Sequence, residues 1–195
     1  MVVGVDIDGV LTHLDEYQLK NTRKYFKNHF NKDVVNPQGS SLREIYGCSA
    51  GAALGYWIPR YIPYIYTSKV RNGANQFFDY LRNNNMKIVI ITSRFSPLIE
   101  ILTKKWLSKN NLQYDDIIFC PKNKINAVKK YNVNVIVEDL PKNINMLKNY
   151  VPVLVMETTY NKNMPEENRL IKINGFDEAI NYLENNKELL VSRAI

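Results

Sequence analysis

Apolar and polar positions along the chain fall into two alternating periods. Four short runs are apolar almost without interruption and rich in β-branched residues: Val2–Asp6, Lys87–Ile91, Asp116–Phe119 and Asn134–Val137. A fifth, Val151–Met156, follows Tyr150. Half-exposed strands alternate, so unbroken runs predict strands covered on both faces, and hence a parallel sheet. Helical periods lie between the runs. Asn72–Asn83 carries Ala74, Phe77, Phe78 and Leu81, and Pro97–Lys109 carries Leu98, Ile101, Leu102 and Leu107. Lys124–Tyr131 and Lys142–Tyr150 are shorter. Phe176–Leu183 starts after Gly175 with Asp177 and Glu178 in its first turn, where carboxylates suit the helix dipole. Strand alternating with helix predicts βαβ units and an α/β, doubly wound sheet.

One interval breaks the alternation. Thr12–Thr67 contains no comparable β-branched run. Leu14–Phe30 is helical in pattern, and Ser40-Ser41-Leu42-Arg43-Glu44 has the form of a capped helix start. A structureless interval of this length is rare in a compact domain. The expectation is a core of residues 1–12 and 68–195, with residues 13–67 forming a small helical cap over the sheet edge.

Composition narrows the class without choosing a function. A chain of 195 residues buries roughly 70% of its unfolded surface on folding. With 45% hydrophobic and 23% charged residues it is ordinary for a globular protein, which excludes disorder and a disulfide scaffold. Cys48 and Cys120 form no C-x-x-C pair, so no zinc or redox site is indicated. Met1 runs straight into the first apolar segment, and no run approaches the ~20 residues of a membrane span. A cytoplasmic protein is the expectation.

The net charge of +7 admits a nucleic acid, an acidic membrane surface or a phosphorylated substrate as partner. An AT-rich coding bias towards lysine is the plainer source. The charge is uneven: residues 69–130 hold 12 Lys and Arg against 4 Asp and Glu.

Chemistry concentrates where strands end. In open α/β sheets ligands bind outside the carboxyl ends of the strands. The first run closes in Asp6-Ile7-Asp8-Gly9-Val10-Leu11-Thr12. Two carboxylates so close raise each other's pKa, and a hard divalent cation would reconcile them. Gly9 permits a sharp turn. The second run closes in Thr92-Ser93-Arg94, hydroxyls before a helix start that serve either as phosphate donors or as an N-cap. The fourth closes in Glu138-Asp139-Leu140-Pro141, a second acidic pair before a helix.

In this order the segments resemble the haloacid-dehalogenase (HAD) superfamily of aspartate-nucleophile phosphotransferases. Asp6-Ile7-Asp8-Gly9-Val10 is similar to its first motif, Thr92 to its second and Glu138-Asp139 to its fourth. The third is a lysine, for which Lys124 is preferred and Lys122 competes. The fourth motif departs from the common pattern at Asn143, where a second Asp is usual. The resemblance implies a Rossmann-like core with a C1-type helical cap. Within the superfamily the chain is similar to the cytosolic 5'(3')-deoxyribonucleotidase (type C) group and its bacterial relatives.

The resemblance implies roles as well. Asp6 would be the nucleophile and Asp8 the acid and base. Thr92, Ser93 and Lys124 would bind the phosphoryl group, and Asp6, the Asp8 carbonyl and Asp139 would hold Mg2+. Glu138 would support Lys124 or a metal-bound water rather than bind metal. The expected activity is phosphomonoester hydrolysis through an aspartyl-phosphate, with a (deoxy)nucleoside monophosphate as substrate. The alternatives are a phosphatase for a sugar phosphate or other small metabolite, and a non-catalytic protein binding phosphate or nucleic acid. A small phosphorylated, nucleotide-like molecule is the expected partner, with no membrane, and nucleic acid is disfavoured. The oligomeric state stays open, a homodimer included. Tyr46, Tyr56, Trp57, Tyr61, Tyr64 and Tyr66 crowd the cap, either as its own core or as a wall for a base. Arg43, Arg60 and Arg94 are read as surface charges, with a phosphate or base contact as the other reading. His13 and His29 have no metal spacing and no assigned role.

Overall fold

β1 (Val2–Val5) is the strand on which the rest of the sheet is registered. It pairs on one side with β2 (Lys87–Thr92) and on the other with β4 (Val135–Glu138), placing Val5 level with Ile90 and Val137. β3 (Asp116–Phe119) flanks β2, while β5 (Val153–Met156) and β6 (Leu170–Ile173) extend the other edge. The order is β3-β2-β1-β4-β5-β6, and every pairing is parallel. The computed structural model describes residues 1–119, 123–165 and 167–192. Cys120 and Lys122 therefore lie outside the described residues.

Both faces of the sheet are covered, which explains the unbroken apolar runs. Ile88 and Ile90 point into one layer with Phe77 and Phe78 of α5 (Ala74–Asn83), Trp106 of α6 (Pro97–Lys109) and Phe176 of α9 (Phe176–Ser192). Val89 and Ile91 point into the other with Val128 of α7 (Ile125–Lys130) and Ile144 of α8 (Pro141–Leu147). α5 follows the expected period, with Ala74, Phe77, Phe78 and Leu81 all buried.

Two expectations need correction. α6 has the expected limits, but its buried positions are Ile99, Thr103, Trp106 and Leu107, while Leu98 and Ile101 are each 52% exposed. The inward stripe runs through a threonine and a tryptophan that a count of aliphatic residues passes over. β6 was not expected at all. Leu170-Ile171-Lys172-Ile173 is an edge strand with a lysine inside it, so it lacks the continuous apolar signal of the central strands.

Beyond β1 an isolated antiparallel bridge pairs Thr12 with Val70 and closes the base of the next segment, reinforced where the Arg71 N–H donates to the Leu11 carbonyl. Between lie α1 (Leu14–Phe30), α2 (Leu42–Tyr46), α3 (Ala50–Trp57) and α4 (Tyr61–Thr67). The capped start is real: the Ser41 hydroxyl accepts the Glu44 N–H, and the Glu44 carboxylate accepts the Ser40 N–H. Phe26, Tyr46 and Tyr56 form a small apolar cluster here, with Phe26 stacked on Tyr46 at 4.1 Å. Among the described residues no helix is long and apolar enough to cross a membrane.

Candidate active site

The sheet register brings the carboxyl ends of β1, β2 and β4 together. The Asp6 N–H still donates to the Val137 carbonyl, so Asp6 is held as the last rung beside β4. Its carboxylate is buried, and one oxygen takes Lys124 Nζ at 2.8 Å. Lys124, also buried, reaches Glu138 at 2.6 Å. Lys124 thus clamps two strand ends from the N-terminal side of α7.

Glu138 is anchored by three hydrogen bonds. Beyond Lys124 it accepts from the Leu140 N–H and the Asn143 amide, both at 3.1 Å. Asn143, where the sequence departs from the usual pattern, is therefore an anchor for Glu138. Asp139 packs against the turn at Gly9: a Cβ there would lie 1.7 Å from Asp139 Oδ2, and the Gly9 φ is +90°. Only glycine fits both demands. The Tyr160 hydroxyl donates to the same Asp139 oxygen, and the Asn161 amide donates to the Asp139 carbonyl.

Asp6, Glu138 and Asp139 place carboxylate oxygens within 4.8 Å of one another. Lys124 is the cation paired within this group, leaving an excess of negative charge in a buried site. Burial pushes the Asp6 carboxyl up to about 7 against the pull of Lys124, and raises Asp139 well above its ordinary range. One oxygen of Asp6 and one of Asp139, both Oδ1, are buried and have no hydrogen-bond partner among the described residues. Orphaned buried acceptors and uncompensated charge fit a hard divalent cation. Both Glu138 oxygens, by contrast, already accept hydrogen bonds.

Asp8 stands apart from that cluster. Arg94 Nε and Nη2 grip its two oxygens at 2.8 and 2.7 Å, and the Tyr64 hydroxyl donates at 3.0 Å. Burial raises its pKa, but Arg94 and Tyr64 outweigh this and hold the carboxyl below its usual range. Expecting Arg94 to be a surface charge is wrong: it is 1% exposed, hydrogen-bonds the Thr103 hydroxyl and lies 5.8 Å from the Trp106 ring. A buried guanidinium needs a planar acceptor, and only the fold shows that Asp8 supplies it. Arg43 is exposed, and Arg60 sits over the Tyr25 and Tyr56 rings.

Thr92 is buried, its hydroxyl accepting the Arg94 N–H at 3.2 Å, whereas Ser93 is exposed. The cleft, about 390 Å3, is lined by Asp6, Asp8, Ser93 and Asp139, with Trp57 and Tyr61 from the helical insertion. The crowded aromatics therefore divide. Tyr46 and Tyr56 are buried in the insertion, Trp57, Tyr61 and the buried Tyr64 line the cleft, and Tyr66 is exposed. Sequence reasoning missed Gln18, Ser40, Phe95 and Tyr160, which also line it. For Gln18 a signal existed: Asp15, Gln18 and Thr22 make a polar stripe on the face of α1 that continues to Phe26, and all four are buried.

A parallel six-stranded sheet with helices inserted after the first strand is the fold of haloacid-dehalogenase-like hydrolases, and the chain has that fold. The Bacillus subtilis (strain 168) protein named "Putative nucleotidase YqfW" is 27% identical over 193 residues, covering 97% of this chain and 96% of its own length. A predicted phosphatase from Clostridium acetobutylicum superposes with a TM-score of 0.67 at 20% identity, covering 94% of this chain and 98% of its own. A HAD family hydrolase from Deinococcus radiodurans R1, with bound phosphate and sodium, gives 0.63 at 12% identity over 97% of this chain and 96% of its own. No family model matches the chain.

Proposed function

We propose that the protein is a magnesium-dependent phosphomonoester hydrolase that works through an aspartyl-phosphate on Asp6 and acts on nucleoside monophosphates, deoxyribonucleotides included. The observation that carries this reading is the buried group of Asp6, Lys124 and Asp139 with two orphaned carboxylate oxygens opening on a cleft. The likeness to a protein named a nucleotidase supports the substrate class.

Asp6, the Asp8 backbone carbonyl and Asp139 would hold the metal, which would act as a Lewis acid on the phosphoryl oxygens. The Asp6 carboxylate attacks phosphorus and the ester P–O bond breaks. Asp8 gives its proton to the leaving alkoxide, then takes one from the water that attacks the phosphoaspartate. That water releases inorganic phosphate and restores Asp6. The arrangement on Arg94 suits the second step, because it keeps Asp8 ionised. The first step needs Asp8 protonated, with that fork loosened. Thr92 and Ser93 donate to phosphoryl oxygens, and Lys124 balances the charge that Asp6 passes on. Residues 13–67 serve as the cap that closes the cleft and selects the substrate.

The test is hydrolysis of nucleoside monophosphates and sugar phosphates with and without magnesium, by wild type and Asp6→Asn. Magnesium-dependent phosphate release is expected, with the variant reduced at least ~10³-fold. An Asp6→Asn protein with full activity would overturn the mechanism.

A further inference from the structure

The inward polar stripe of α1 contains one side chain that makes no hydrogen bond at all to the described residues. Asp15 accepts the Thr159 N–H on one oxygen, its other oxygen being a buried orphan, and the Thr22 hydroxyl is hydrogen-bonded to the Tyr46 hydroxyl at 2.7 Å. Gln18, between them, is only 5% exposed, yet its side chain makes no hydrogen bond to any described residue and its Oε1 is a buried orphan. Leaving a buried amide unpaired is costly, and folded chains rarely do so without a ligand or water to complete it. Gln18 lines the same cleft as Asp6 and Ser93.

The surroundings of Gln18 say what kind of group would complete it. Trp57, Tyr61 and Phe95 line that cleft, with Trp57 and Tyr61 edge to face at 6.0 Å and Phe95 left 64% exposed. Such faces stack on planar rings. A side-chain amide sets a donor beside an acceptor, the complement of a heterocycle whose edge carries an N–H next to a ring nitrogen or carbonyl. Phosphate oxygens offer only acceptors, so they leave Oε1 unsatisfied. The cleft volume of about 390 Å3 is that of a small-molecule pocket rather than of a phosphoryl group alone.

We propose that Gln18 reads the edge of a nucleobase held against the Trp57, Tyr61 and Phe95 walls while the phosphate sits at Asp6. The inference rests on the nucleotidase reading and deepens it: the substrate is recognised at both ends, and sugar phosphates without a base are poor ligands. A pocket built to hydrogen-bond its substrate discriminates strongly against analogues that lack the partner.

The test compares UMP and AMP with ribose 5-phosphate, on wild type and Gln18→Met, a variant of similar length without the amide. The ratio of kcat/KM for the better nucleotide to that for ribose 5-phosphate is expected to exceed one in wild type and to fall about tenfold in the variant. A ratio unchanged within about twofold would overturn the proposal, because a purely structural glutamine lowers both substrates together. A wild type that prefers ribose 5-phosphate would overturn it too. Should Gln18→Met not fold, Gln18→Glu, which keeps an acceptor but loses the donor, is read by the same ratio. Should wild type hydrolyse neither substrate, the proposed function fails. Calorimetric binding of UMP and ribose 5-phosphate to wild type and variant then decides the role of Gln18 by itself: a nucleotide preference that the variant loses supports it, and equal affinities overturn it.

Discussion

Replacing Arg94 by methionine isolates the contact that ties β2 to the loop after β1. Arg94 is 1% exposed and makes two charge-assisted hydrogen bonds to Asp8, at 2.8 and 2.7 Å. Removing one partner of a buried ion pair costs about 3–5 kcal/mol, mostly because the other charge is stranded. Asp8 keeps 21% of its side chain exposed and retains Tyr64, so water recovers part of that loss and about 2–4 kcal/mol is expected here. Methionine preserves much of the packing on Trp106, which confines the effect to polar contacts. The assay is urea unfolding of wild type, Arg94→Met, Asp8→Asn and the double variant, with the slope checked for constancy. A coupling of about 2 kcal/mol or more is expected between the two sites. For a chain of this size each kcal/mol also lowers Tm by about 2–4 °C. Coupling below about 0.5 kcal/mol would refute the reasoning, since the two side chains would then contribute independently.

Other sites give shorter tests. Gly9→Ala forces a Cβ into Asp139 at a φ of +90°, so a loss of at least about 2 kcal/mol in thermal melts is expected, together with weakened metal binding by calorimetry. Ile99→Ala should cost about 2–4 kcal/mol in urea, whereas Leu98→Ala, at a half-exposed site, should stay within about 0.5; equal costs would contradict the face assigned to α6. The Tyr131 hydroxyl, 2.6 Å from Asp116, holds that carboxyl below its ordinary pKa of 3.8. This lowered pKa contributes stability above the unfolded value, lost as pH falls through the folded one. Tyr131→Phe should move the Asp116 titration up by carbonyl NMR; an unmoved titration would remove the cause assigned to it.

Much of the scaffold was legible because its signals are local. Sheet strands buried on both faces must be apolar throughout, so β1, β2, β4 and β5 announced themselves, the other edge strand β3 showed through its Ile117-Ile118-Phe119 run although it is only partly buried, and the phases of α5 and the caps of α2 follow from spacing and side-chain chemistry. β6 escaped because Lys172, tolerated on a partly buried edge, interrupts its apolar run. α6 was found with the wrong face, since Thr103 and Trp106 count as inward only when their partners are known: Arg94 for one and the Ser68 carbonyl for the other. The aromatics between 46 and 66 could be neither divided nor ranked until the helices were packed.

The chain by itself determined which groups stand at the carboxyl edge of the sheet: Asp6, Asp8, Thr92, Ser93, Glu138 and Asp139 all end or directly follow apolar strands, and strand ends are fixed by burial and local propensity. Only the tertiary structure decided how those groups are shared out. Whether Lys124 serves Asp6 or Glu138, whether Arg94 is a solvated charge or the partner of Asp8, and whether Gln18 faces water or the cleft all depend on contacts across long stretches of chain. Charge and hydrogen-bond energies change steeply over a few ångströms and with loss of water, and neither separation nor burial is written in residue spacing. The excess of positive charge between residues 69 and 130 is thus partly consumed inside the fold, with Arg94 and Lys124 paired to the carboxylates beside them.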